Sequence, residues 1–496
     1  MKAGAMRAGQ QTLEQDSQVS DQKGRSPASS LALKVLAIAL VTLAIYWIPA
    51  PEGLDPRGMH MAAIFVGTIL GLILQPLPTA SVTLIGLTLA MITGTMTAEE
   101  EALQGFANTT IWLIVAAFFI ADGFLLTGLG KRIALLFVRV LGKSSLGLAY
   151  GMALTDLVLA PATPSTTARA GGVVYPIIKS LASLNDSEPS PEQSRKRLGA
   201  YLSLTSIQVN IVTAAMFVTA MAGNPIAVGF AQDAGIELSW GSWALAALVP
   251  GLLTLLLMPW FMSKIYAPGL KKTPQAPQQA AQQLKEMGPL SRNEGIMLAT
   301  FILLLALWVL GSFLGINATA AAFVGISILL CTKVLTWKDL ASNSGAWSTL
   351  IFFSVLVGMA SHLNDLGVVG WIGDSAAAAV KGLSWPAALA ALVLVYFYVH
   401  YLFASNTAQI VALYSVFLGT AIAAGAPALL AALIFGFAGN LIGGLTHYAS
   451  GPCGVIYGSG YVKTGEWFRV GFLASLLILV VWATVGSAWW LLLGYI

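Results

Sequence analysis

Charge is scarce in this chain. Asp, Glu, Lys and Arg make up 9% of its 496 residues, where a soluble domain carries about 25%, so a water-facing globular surface is excluded. Histidine and cysteine are nearly absent as well. Four His stand at 60, 362, 400 and 447 and two Cys at 331 and 453. None has the spacing of a zinc helix, a Ser/His dyad or a metal cluster, and a disulfide framework is ruled out. These shortages argue against an intramembrane protease or any other enzyme, and no cofactor or metal is expected. Short alternating segments are missing too, which excludes an outer-membrane barrel.

What remains is apolar: 57% of the residues are hydrophobic. They gather into helix-length runs at 31–50, 59–76, 79–96, 109–130, 199–222, 240–265, 294–314, 318–335, 347–367, 425–446 and 468–494. A bilayer crossing asks for about 20 such residues, so the fold class is an all-α polytopic membrane protein with about 11 transmembrane helices. Two further apolar stretches, 146–182 and 384–422, are broken in the middle by Pro161-Ala162-Thr163-Pro164-Ser165-Thr166-Thr167 and by Ser405-Asn406-Thr407. Bare backbone at membrane depth must line protein or a wet cavity, so both are expected to be re-entrant hairpins. Residues 1–30 are polar and read as a disordered cytoplasmic tail.

Basic residues fix the orientation. With the N-terminus inside, only Arg57 and Lys381 of the 25 Lys and Arg fall outside, and Arg169 is left within the membrane. That asymmetry is the positive-inside rule. It explains the net charge of +4 without nucleic acid. The expected location is an inner (plasma) membrane or a plastid envelope.

The two halves resemble each other. Pro164–Arg169 matches Ala404–Gln409 at an offset of 240, and Thr219–Pro225 matches His447–Cys453 at an offset of 228. The expected organisation is a first transmembrane helix (31–58), a first inverted repeat (59–265), a flexible or weakly helical cytoplasmic linker (266–293) and a second inverted repeat (294–496). Inverted repeats with broken helices near the midplane are a transporter architecture, with substrate held where the repeats meet. Helix N-termini bind anions through free N–H groups and the dipole. Ser165, Thr166 and Thr167 at one tip and Ser405, Asn406 and Thr407 at the other are therefore candidate anion ligands. The breaks at Gly223-Asn224-Pro225 and Ser450-Gly451-Pro452 are expected to complete the site, with His400, His447 and Gln409 as further candidates. Arg169, one turn past the first tip, is either a ligand or the partner of Asp156 on the opposite arm.

The segments 160–177, 401–409 and 445–462 resemble the signature regions of the divalent anion:sodium symporter family, closest to its citrate–succinate and tartrate–succinate antiporters and the plastid 2-oxoglutarate/malate translocator. The resemblance implies a homodimer in which each protomer has a scaffold and a transport domain moving by an elevator, and it implies transport of di- or tricarboxylates such as malate, succinate, 2-oxoglutarate, citrate or tartrate. It also implies a site made of two Ser-Asn-Thr motifs. The second is intact at 405–407; in the first, Thr166 stands where the family has Asn. Loss of that amide puts the first cation site in doubt and makes Arg169 the candidate replacement for a sodium ion. The expected activity is sodium-independent exchange, with sodium-coupled symport as the alternative.

Overall fold

Apolar side chains on every face and well-formed caps dictate long buried helices, and the computed structural model contains them. It describes residues 27–51, 54–379 and 382–496. Most of the expected tail and Lys381 lie outside that range. Among the described residues all extended secondary structure is helical, and nine helices are long and apolar enough to cross a membrane.

Helix α1 (Pro27–Tyr46) starts four residues earlier than the expected span. Nine elements follow: α2 (Pro56–Leu74), α3 (Thr79–Ile92), α4 (Thr109–Thr127), α5 (Leu129–Leu141), α6 (Ser145–Leu159), a π-helical segment leading into α7 (Tyr175–Leu184), α8 (Gly199–Met216), α9 (Gly223–Asp233) and α10 (Trp240–Ile265). After a linker helix α11 (Ala276–Met287), nine elements return in the same order. They are α12 (Arg292–Leu314), α13 (Ala318–Cys331), α14 (Ser344–Asp365), α15 (Val368–Ala379), α16 (Trp385–Tyr398), α17 (Asn406–Ala423), α18 (Ala428–Leu441), α19 (Gly451–Gly458) and α20 (Thr464–Val481). A π-turn then leads to α21 (Ser487–Leu492), which extends the last of them. The same order of elements thus recurs through the described residues outside α1, α11 and short connecting helices, well beyond the two motif matches.

Local chemistry sets the boundaries. Asp55 caps α2 with Pro56 at its first position, and Asn108 and Asn317 cap α4 and α13. Reciprocal capping boxes open α10 at Ser239–Ser242 and α12 at Ser291–Glu294. Each cap satisfies N–H groups that have no intrahelical partner.

The two broken stretches reverse direction at their tips. Arg169 reaches Asp156, 13 residues back, at 3.2 Å, and Gln409 Nε2 donates to the Tyr396 carbonyl, also 13 back, at 2.6 Å. In a continuing helix those pairs would stand about 20 Å apart. Length alone would not have decided the matter, since Ser145–Ala162, Trp385–Leu402 and Asn406–Ala423 are each 18 residues long and apolar enough on average to cross a membrane.

Three expectations need correction. The stretch 199–222 is not one span: α8 ends at Met216 and Phe217–Ala222 is a short 3-10 and extended break. Gly223-Asn224-Pro225 is consequently the first turn of the next helix rather than the break itself, and Gly451-Pro452 likewise begins α19 after the irregular stretch ending at Ser450. The linker, read as flexible or weakly helical, contains the helix α11 and is bonded to its neighbours. Its Leu270 and Lys271 carbonyls bond Ser145, Thr273 bonds Lys143 and Gly142, and Gln279 reaches Ser180 at 3.2 Å. It is laid across the basic end of the first hairpin.

That end gathers most of the described basic residues. Arg132 pairs with Glu294 at 2.6 Å, and Arg195 with Glu466 at 2.7 Å. Glu192 holds Lys196 and Lys463, each at 2.6 Å, and these two ammonium groups hold its carboxyl down to about 2. The opposite end carries Arg57, Glu101 and His362.

Candidate functional site

The backbone breaks four times, and the four ends meet at one cavity of ≈ 170 Å³. Pro164, Ser165, Thr166 and Thr167 of the first tip line it, with Ser405, Asn406 and Thr407 of the second. Met221 and Ala222, which lead into α9, and Ser450 and Gly451, at the start of α19, form further wall. Asn210, Ile211 and Ala214 of α8, Asn440 of α18 and Phe118 of α4 close it. The chain turns helical again at Thr166, Gly223, Asn406 and Gly451, so four helix N-termini border the same space.

Physical consequences follow from that convergence. The first N–H groups of each helix have no intrahelical acceptor. Ser165 Oγ takes only the Ala168 N–H, at 3.1 Å, and Ser405 Oγ only the Ala408 N–H, at 3.3 Å. The N–H groups ahead of these are left for a ligand. No lining residue is Asp, Glu, Lys or Arg. Each helix N-terminus carries the equivalent of about half a positive charge, and four of them together come near the two negative charges of a dicarboxylate. The packing between the halves is tight: a methyl group on Gly451 would land on Thr167 Oγ1, and one on Gly444 would come within 2.7 Å of the Gln208 amide.

The amides are arranged with their oxygens free. Asn406 Nδ2 donates to the carbonyls of Gly439 (2.9 Å) and Asn440 (3.2 Å). Asn440 Nδ2 donates to Asn224 Oδ1 at 2.6 Å, and Asn210 Nδ2 donates to Asp156 at 3.1 Å. The Oδ1 atoms of Asn210, Asn406 and Asn440 are buried with no donor among the described residues. Asn210 and Asn440 escaped the sequence reading. Their signal was present: each is an amide inside an apolar span, and their spacing of 230 falls between the two repeat offsets of 228 and 240.

Other candidates stand behind the wall. Arg169 is fully buried and bonds Asp156 and the carbonyls of Thr163 and Ala220; its Nη2 has no acceptor among the described residues. Asp156 also accepts from Asn210 and Thr213. The pair is therefore a hydrogen-bonded neutral unit that joins the two arms to the first break. Gln409 and His400 do the same in the second repeat: His400 Nδ1 meets Gln409 Oε1 at 2.7 Å, and His400 Nε2 meets the Ala449 carbonyl at 3.1 Å. Asn224 Nδ2 ties the end of α8 through the carbonyls of Ala214 and Phe217, while Gly223, Pro225 and Pro452 lie off the lining. His447 stacks against Tyr457 with ring centroids 4.2 Å apart and does not line the cavity.

Comparison with known proteins places the chain among membrane transporters. A family model described as the sodium:sulfate symporter transmembrane region matches residues 29–496. The putative malate transporter YflS of Bacillus subtilis is 47% identical over 472 residues, covering 95% of this chain and 98% of its own. Dicarboxylate transporter 2 of spinach (Spinacia oleracea) chloroplasts is 45% identical over 93% of this chain and 82% of its own. The citrate/succinate antiporter of Escherichia coli K12 is 36% identical over 90% and 97%. Among solved structures, the YdaH transporter of Alcanivorax borkumensis shares the fold, with a TM-score of 0.53 at 13% identity over 93% of this chain and 96% of that one.

Proposed function

This chain belongs to the sodium:sulfate symporter transmembrane-region family of membrane transporters, and within it we propose an exchanger of di- or tricarboxylates that works without sodium. The observation that carries the reading is the cavity bordered by four helix N-termini and no charged side chain. Such a site offers many donors to an anion and holds no fixed charge when empty. The names of the relatives, malate, dicarboxylate and citrate/succinate, favour small carboxylates as the anion.

Exchange follows from what an empty cavity would have to do. In the elevator reading, the hairpins and broken helices move as one body past a scaffold that includes α4. Each uncapped N–H and each orphaned amide oxygen must then leave water, at about 1–3 kcal/mol apiece. A carboxylate at each tip satisfies the donors and lowers that cost, so the loaded carrier crosses and the empty one stalls. This replaces the expectation that Arg169 acts as a fixed counter-charge: its pairing with Asp156 removes the net charge on which that argument stood. In this reading the N-terminus lies inside, the two hairpins open to opposite sides, and the protein works as a homodimer.

A sodium-coupled symporter is the second reading, and one observation favours it. The free oxygens of Asn406 and Asn440 beside the second tip are the ligand type a hard cation takes. The first tip has Thr166 in place of an amide and fits a cation less well. Uptake of labelled succinate or malate into proteoliposomes separates the readings. An exchanger needs an internal dicarboxylate and runs equally in sodium and potassium buffers; strong sodium-dependent uptake into empty vesicles would overturn the proposal.

A further inference from the structure

A second cavity, of ≈ 550 Å³, lies toward the basic end of the chain. Phe124 and Leu125 of α4 line it, with Gly172 and Val173 of the first hairpin and Gln279 of α11. It borders the same seam as the transport cavity, the one between α4 and the first hairpin. Helix α4 gives Phe118 to the transport cavity and Leu125 to this one. Seven residues apart, the two stand two turns apart on one face. A methyl group on Gly172 would lie 3.6 Å from a Leu125 methyl, so hairpin and helix are in contact along the seam.

Asp122 stands between them, about 6 Å along the helix from Phe118 and within the same face. It is half-buried, and its carboxyl accepts a hydrogen bond from Asn343 Nδ2 at 2.7 Å. None of the ion pairs among the described residues includes it. The charged side chain that bears on it is another acid, Asp339, in the short helix ahead of α14. The bond to Asn343 does not call for a charge, because an amide oxygen at 122 would accept it as well. An ionisable group inside a span is costly and is normally kept for a function.

We propose that Asp122 is a specificity-determining residue, a charge filter beside the transport cavity that passes dianions and holds back trianions. The inference rests on the exchange reading of that cavity. Four helix N-termini offset about two negative charges. A dianion in the cavity therefore shows Asp122 little net charge, whereas a trianion keeps about one unit uncompensated. An anion that moves along the seam toward the basic end must pass the carboxylate. A like charge about 8–15 Å away, at an effective dielectric of about 20, lowers passage by roughly 6- to 30-fold. Asp122 stands off the binding tips, on the wall that the anion passes, so it weighs the charge of the cargo without binding it.

The test is counterflow of labelled citrate and labelled succinate into proteoliposomes that hold unlabelled succinate. The buffer is mildly alkaline, so that citrate is a trianion and succinate a dianion. Asp122→Asn keeps an acceptor for Asn343 and removes the charge, so the citrate-to-succinate ratio should rise by roughly 6- to 30-fold. Asp122→Glu keeps the charge and should hold the ratio near the wild-type value. An unchanged ratio in Asp122→Asn overturns the filter and leaves Asp122 as an acceptor for Asn343 alone. Equal rises in both variants overturn it too, since shape rather than charge would then decide. A wild-type chain that moves neither acid sinks the exchange reading and the filter with it; exchange of both acids at an unaltered ratio sinks the filter alone. Should Asp122→Asn fail to fold, the wild-type chain decides. Acidifying the buffer until citrate becomes a dianion should raise its ratio to succinate by the same factor, and a constant ratio refutes the filter.

Discussion

Consider the neutralisation of the Asp156–Arg169 pair. Arg169→Gln leaves a buried carboxylate with Asn210 and Thr213 as its remaining donors, and strips the Thr163 and Ala220 carbonyls of theirs. Removing one member of a buried pair costs about 3–5 kcal/mol. Asp156→Asn strands the guanidinium instead and should cost as much. The double substitution removes both charges. The second repeat already uses that solution: Gln409 stands where Arg169 does, and its Nε2 bonds the carbonyl of Tyr396, at the position of Asp156. The double variant should therefore lose only about 1–2 kcal/mol, the worth of one or two net hydrogen bonds. Thermal and denaturant unfolding in detergent measures the stability cycle, and counterflow of labelled succinate measures function at a temperature where all variants are folded. The expected result is two unstable singles and a double variant that regains most of both stability and exchange. If instead Arg169→Gln unfolds like the wild type but loses succinate binding, and the double does too, the free Nη2 of Arg169 reaches the substrate and the structural account of the pair is wrong.

Asn406→Ala leaves the Gly439 and Asn440 carbonyls without their donor at the cavity wall, so apparent affinity for the transported acid should fall by roughly 5- to 150-fold; unchanged binding of every candidate acid would remove Asn406 from the site. Gly451→Ala forces Thr167 out of its rotamer where the two halves meet, so transport should fall several-fold with little change in unfolding temperature; a fully active variant would contradict the close approach. Single cysteines at Ser190 and Ser384 should label from the inside and the outside respectively in right-side-out vesicles, and labelling from one side alone would defeat the inversion of the repeats. The Glu192 carboxyl, held near 2 by Lys196 and Lys463 against an ordinary 4.5, contributes stability that is present above about pH 4.5 and lost as pH falls towards 2; a stability change between pH 6 and 8 that Glu192→Gln abolishes would contradict that linkage.

How much of this was legible in the sequence depends on what kind of force sets each feature. Helix existence and the two tips follow from composition and from Pro-Ser-Thr-Thr or Ser-Asn-Thr inside apolar runs, because a polar break at membrane depth has few uses. The break after Met216 was misplaced by six residues, because Phe217–Ala222 is apolar apart from Thr219 and has no Pro or Gly to announce it. Its irregular backbone is held by tertiary bonds: Asn224 takes the Ala214 and Phe217 carbonyls, Arg169 takes Ala220, and Thr219 takes Pro161. Linker order was hidden for the same reason. Nothing in Gln-Ala-Pro-Gln-Gln shows that Leu270 and Thr273 will bond the loop at Lys143–Ser145. Asn210 and Asn440 were readable through the repeat spacing, but only once the halves were aligned helix by helix.

The two repeats solve one problem with different chemistry, and the difference bears on coupling. In the proposed elevator, each hairpin has to be locked to the break beside it so that tip and break move together. In the first repeat the lock is ionic, running from Asp156 through Arg169 to the Ala220 carbonyl. In the second it is neutral, with Gln409 on the Tyr396 carbonyl and His400 between Gln409 and the Ala449 carbonyl. Either way no charge reaches the cavity. The asymmetry that matters for coupling then lies at the tips themselves: an amide with a free oxygen at 406, a hydroxyl at 166. A neutral cavity with four helix N-termini favours crossing with an anion aboard, whatever the cation. Exchanging the tips' chemistry tests whether that hydroxyl decides the cation dependence. Thr166→Asn restores an amide to the first tip without touching Asp156 or Arg169. Under the proposed sodium-independent exchange, uptake by this variant into empty proteoliposomes should gain a dependence on sodium relative to the wild type measured alongside, while counterflow persists. If Thr166→Asn and the wild type respond identically to sodium, the hydroxyl at the first tip does not decide the cation dependence, and its origin must be sought in the second tip around Asn406 and Asn440.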